Sequence, residues 1–200
     1  SSAPAAGDVD LDIDISDITP PGVGPLYGVT NTSAGAPAVT ATVDTTAEGE
    51  VIISGVAVAG TADVDVINSA GATFTALASD TSGAARTATA TIQTALYMEG
   101  IGSAGAAVDF TNGSDLLINA RAVAVSATAG AAANASIDNG IDQYASASNG
   151  DASVGLVNDA AMTFNAAATA SNSGVGAASA TASIDSAIDQ FASAASGVPS

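Results

Sequence analysis

The carboxylates of this chain fall into two patterns. Asp8, Asp10, Asp12 and Asp14 alternate with Val9, Leu11, Ile13 and Ile15 near the start, and the pair Asp138 and Asp142 recurs as Asp185 and Asp189. Grouped carboxylates suit two chemistries. One is coordination of a hard cation such as Ca2+, which takes roughly six to eight oxygen ligands. The other is general acid–base work by a pair facing across a cleft, as in glycoside hydrolysis. Spacing argues against the first for the N-terminal run, since alternate strand residues stand roughly 6.5–7 Å apart. One ion then reaches at most two of them. No D-x-D-x-D-G loop and no G-G-x-G-x-D nonapeptide repeat occurs. An active site seldom recurs with each structural repeat. Asp138, Asp142, Asp185 and Asp189 therefore read as solvated carboxylates at a corner and on an outer strand face, and only as weak metal candidates.

The remaining chemistry is sparse. There is no His and no Cys, which removes the commonest general base, the commonest metal ligand and thiolate chemistry. Arg86 and Arg121 are the only bases against 20 acids, giving a net charge of −18. Nothing can neutralise phosphates, so nucleic acid is not an expected partner, and an anionic membrane surface would repel the chain. No stretch is long and apolar enough to insert in a bilayer. The expectation is a non-enzymatic protein with no cofactor, Ca2+ being the one ion to consider. An acidic chain rich in Ser, Thr, Asn and Gly suits a secreted or cell-surface bacterial protein, or a halophilic one.

The elements that hold these residues are repeats. ASIDNGIDQYASA (135–147) returns as ASIDSAIDQFASA (182–194), with a weaker copy from Ala90. A second family starts at Val64, Val108 and Val154. The two families align with each other at a shift of 25 residues. The unit is then roughly 23 residues, the size of one coil of a β-solenoid. Its template is two alternating strands joined by a short corner. The expected fold is all-β, a parallel β-solenoid of about seven coils led by Val39, Val64, Ala88, Val108, Ala133, Val154 and Ala180. All six prolines lie outside the coils, as paired strands require. Gly and Asn clusters fall between templates, where the chain must turn. Helical repeats are the rival, since Ile137, Ile141 and Tyr144 follow i, i+4, i+7. Strict alternation in ATATI, ARAVAVSATA and MTFNAAATA favours strands.

Several columns follow from the template. Phe74, Ile118 and Phe164 form one inward column, and Met98, Gln143 and Gln190 another. The glutamines are expected inward, bonded to each other or to backbone. Asn68, Asn112 and Asn158 alternate with Ile92, Ile137 and Ile184 in a corner column, the amides satisfying backbone groups. Outward, Tyr144 and Phe191 share a column with Glu99, with Tyr97 beside them; Tyr97, Tyr144 and Phe191 are candidate lateral contacts. Asp65 and Asp109, two coils apart, would stand roughly 9–10 Å from each other. Outward Thr40, Thr42, Thr89, Thr91 and Thr181 suggest a flat ice-binding rank. Asp65, Ile67, Asp109 and Val157 in the same columns break it.

Segments such as NGSDLLINARAVAVSATAG and NDAAMTFNAAATASNSG resemble the coils of filamentous-haemagglutinin-like exoproteins, the bacterial surface adhesins of two-partner-secretion and autotransporter type. The resemblance covers most of residues 38–198. It implies a right-handed parallel β-helix at the cell surface and brings no catalytic residues with it.

The chain divides into an N-terminal strand arm with a Pro/Gly linker (1–37) and a solenoid domain (38–200). Val9, Leu11, Ile13 and Ile15 form the apolar face of the arm, and Ile18 beyond them belongs to the same self-assembly segment. That strand can complete a neighbouring copy in trans, giving a head-to-tail filament, or fold back to cap its own first coil. Two functions follow: a cell-surface filament or adhesin subunit whose main partner is itself, or a monomeric solenoid that binds a glycan, a cation or another surface protein.

Overall fold

The computed structural model describes residues 9–14, 28–33, 40–42, 51–57, 59–80 and 86–195. Among them every regular element is a strand. β1 (Val9–Asp14), β2 (Gly28–Ser33), β3 (Thr40–Thr42) and β4 (Val51–Ala57) come first. Three similar sets follow: β5 (Thr61–Asn68), β6 (Ala72–Asp80) and β7 (Arg86–Gly102); β8 (Gly105–Asn112), β9 (Leu116–Ser126) and β10 (Ala131–Ala147); β11 (Ala152–Asn158), β12 (Met162–Asn172) and β13 (Ala178–Ala194).

Each set sends one strand to each of three sheets. The first sheet runs β1-β5-β8-β11, the second β13-β10-β7-β4-β2-β3 and the third β12-β9-β6. Every pairing is parallel except β2 with β3. The chain thus passes round the three sheets and lands one strand further along each, an arrangement consistent with the parallel β-solenoid expected from the sequence.

The length of a circuit differs from that expectation. Ala62 pairs with Ala106 and Ala106 with Ala152, while Ala131 lies between Arg86 and Ala178. Bonded side chains on successive layers are 44 to 47 residues apart. The 23-residue unit is half a circuit, so three circuits take the place of the coils led by Val64 through Ala180. Val39, which led the first coil, lies outside the described residues. The two repeat families occupy different sheets on one circuit instead of alternating along the stack. Asn68, Asn112 and Asn158 therefore stack on one another, and Ile92, Ile137 and Ile184 do so separately.

Alternation explains most of the strands. β5 buries Ala62, Val64 and Val66 and turns Asp65 and Ile67 outward. β10 keeps strict alternation to Ile137, then places Gly140 and Ile141 both inside. That phase slip is a corner, and it lets one 17-residue strand cover two directions. Gly140 is required there, because a Cβ would collide with the Phe164 ring and the Ala187 carbonyl. More than half of the buried apolar residues are alanine. Such a core is thin, with Phe74, Phe110, Ile118, Leu116 and Met98 among its large side chains.

Part of the N-terminal segment lies within the described residues. β1 pairs with β5 of its own chain, Leu11 in register with Val64 and Ile13 with Val66. Ile15 and Ile18 lie outside the described residues. Residues 28–33, expected within the linker, form β2 alongside β4.

Candidate functional site

Two amide ladders run along the inside. Asn68 Nδ2 donates to Asn112 Oδ1 at 2.7 Å, and Asn112 Nδ2 donates to Asn158 Oδ1 at 2.8 Å. Asn68 also holds its corner, donating to the Ser114 carbonyl at 2.9 Å and accepting from Gly71 N at 3.0 Å. Gly71 has φ +98, a conformation that favours glycine. In the second ladder Gln190 Nε2 donates to Gln143 Oε1 at 2.7 Å, while Gln143 Nε2 reaches the Gly155 and Val108 carbonyls at 2.8 and 3.2 Å. Gln143 is fully buried yet supplied on both sides, as a buried amide must be. Met98 stands below it in register, above Ile53. Phe74, Ile118 and Phe164 stack in the third sheet.

These ladders end on a layer unlike the others. β11, β12 and β13 each have a strand partner on one side only among the described residues. Ile137 and Ile141 are fully buried, whereas their register partners Ile184 and Ile188 are 41% and 40% exposed. Phe191 is 53% exposed. Asn158, at the end of its ladder, is exposed, and Gln190 likewise. Position in the stack, not residue type, makes the difference.

The outer face of the second sheet carries the aromatic and acidic residues. Glu99, Tyr144 and Phe191 are in register, as are Tyr97, Asp142 and Asp189. The Tyr144 and Phe191 rings stack at 5.4 Å and 9°. Glu99 accepts from Ser54 Oγ at 2.8 Å and from Tyr97 Oη at 3.3 Å. Burial first, then the Glu99 charge, pushes the Tyr97 phenol up to about 12. Burial and then the Asp189 charge raise the Asp142 carboxyl above its usual range. Asp138 is half-buried and Asp185 exposed. Among the described residues no three acids converge in a way that would hold a metal ion.

The longer circuit corrects two spacings. Asp65 and Asp109 are register partners on adjacent strands, which puts them roughly 5 Å apart, not at twice that distance. The residues expected to interrupt the Thr rank lie in the first sheet, while Thr89 and Thr91 lie in the second. Within their own sheet the columns read Thr89–Asn134–Thr181 and Thr91–Ser136–Ser183. Asn134 is the residue that breaks the rank.

One ladder escaped the sequence reading. Asn165 Nδ2 donates to Asn119 Oδ1 at 2.7 Å on the outside of the third sheet. Its signal was present, since both asparagines occupy the same place in LLINARA and MTFNAAA.

No protein-family model, no curated protein and no solved structure matches the chain.

Proposed function

We propose that this chain is a non-enzymatic structural protein of the bacterial cell surface, a filament or adhesin subunit whose copies join through the ends of the stack. The observation that carries this reading is the last circuit. It repeats the buried columns of the circuit beside it, yet leaves Ile184 and Ile188 partly in water. Parallel strands with apolar inward columns gain from a further layer, and an unpaired edge offers the hydrogen bonds for one. The resemblance of NGSDLLINARAVAVSATAG to exoprotein coils supports the surface location. The expected head-to-tail mode would lay β11 of one copy on the free edge of β1 in the next. Leu11 and Ile13 would then extend the column of Val154 and Leu156 without leaving β5.

Sedimentation and negative-stain imaging across a concentration series test the proposal. Particles that lengthen or double in mass with concentration are expected. Single short rods at every concentration would overturn it. A second reading, a monomeric module for a glycan or cation, is favoured by the Tyr144–Phe191 stack beside Asp142 and Asp189. Carbohydrate binding by single rods would select it.

A further inference from the structure

β13 has β10 on one edge and no strand on the other among the described residues. Its sequence, ASATASIDSAIDQFASA, is centred on Ser186, and four of its eight mirror pairs are identical: Ala178 with Ala194, Ser179 with Ser193, Ala180 with Ala192 and Ile184 with Ile188. β10 has a similar pattern, but both of its edges are taken by β7 and β13. Only β13 presents it to a newcomer.

We infer that the occupant of this edge is a second copy of the same chain, docked through antiparallel β13–β13 pairing about a two-fold axis at Ser186. The inference rests on the open end being an assembly edge and names what meets it. Three features carry it. Parity comes first: apart from Asp185 and Ala187 at the corner, each residue meets one that faces the same way, so the inward columns of both copies share a common interior. Ile184 of one copy lies opposite Ile188 of the other, and both of these half-exposed side chains are covered together.

Charge is the second feature. The two-fold sets Asp189 opposite Ser183 of the second copy and Asp185 opposite its Ala187, so no acid of β13 faces an acid. A serine hydroxyl can donate to the carboxylate it meets. Parallel stacking does the reverse, as Asp142 beside Asp189 already shows. The third is Phe191, which falls opposite Thr181 of the second copy. Aromatic and β-branched residues make a favoured cross-strand pair. β13 carries phenylalanine where β10 has the hydroxylated Tyr144.

A single thiol tests the geometry. The chain has no cysteine, and on this axis Ser186 lies opposite itself, with Cα atoms roughly 4.5–5.5 Å apart. That is within disulfide reach. Mild oxidation of Ser186→Cys should give a covalent dimer and nothing larger, while Ser79→Cys, on the exposed face of β6, stays monomeric in the same gel. Ile184→Lys should shift the mass from dimer to monomer with the strand circular-dichroism signal retained. Open-ended polymers of Ser186→Cys whose introduced thiol stays unlinked would overturn the two-fold pairing but keep end-to-end assembly. A monomer at every concentration would overturn both.

Discussion

The two ends of the stack are built differently. Beyond the circuit of β5, β6 and β7, the first sheet gains β1, the second gains β4, β2 and β3, and the third gains nothing among the described residues. At the other end β11, β12 and β13 of one circuit are the last strands of the three sheets among the described residues. The first end is stepped and partly covered by its own chain, and β3 runs antiparallel, which ends the parallel series. The second is level and repeats the inner pattern without interruption.

If position in the stack governs energetics, one substitution should have two sizes. Ile137→Ala removes a fully buried side chain with a layer on both sides, and should cost about 2–5 kcal/mol. Ile184→Ala removes its partly exposed register partner and should cost about 1 kcal/mol in the monomer. Urea unfolding of the two variants at low protein concentration measures the contrast. Equal losses would mean that the last circuit is as well covered as the one inside it.

The asparagine ladder offers a smaller contrast of the same kind. Asn112→Ala takes away the acceptor for Asn68 and the donor to Asn158. It should cost about 1–3 kcal/mol, the penalty for stranding a buried polar group. Asn158→Ala, at the exposed end, leaves one donor unmet and should fall to about 1 kcal/mol. Thermal melts of both proteins decide the matter, and the order should survive even if the sizes shift.

That ladder also explains what the sequence could and could not reveal. Strands, inward columns and bonded amides were legible because parity and repetition report them directly, as in ASIDNGIDQYASA. Circuit length was not, because the two half-circuit templates align so well that either can be stacked on the other. Hydrophobic parity is indifferent to that choice. Hydrogen bonding is not. A buried Asn68 between two isoleucine layers would have no amide neighbour, whereas 44 residues on it meets Asn112. Requiring a partner for each buried amide would have chosen the longer circuit. The docking of β1 lay beyond such arguments, since an amphipathic strand fits its own edge and a neighbour's equally well.

The smallest expected effect concerns the outer face where the last two circuits meet. Asp142 is half-buried beside Asp189, and both burial and that charge raise its carboxyl above the usual value. A raised carboxyl holds its proton in the folded chain at a pH where the unfolded chain has released it. Stability from this group is therefore lost as pH rises through the window above the ordinary carboxylate value, and regained on acidification. Asp142→Asn should make the folded chain slightly more stable at neutral pH and flatten the slope of melting temperature against pH in that window. Asp189→Asn should lower the Asp142 titration through loss of the neighbouring charge, while desolvation keeps part of the shift. The Asp142 carboxyl followed by NMR through a pH series measures the change, and a titration unmoved by Asp189→Asn would remove the neighbouring charge as a cause.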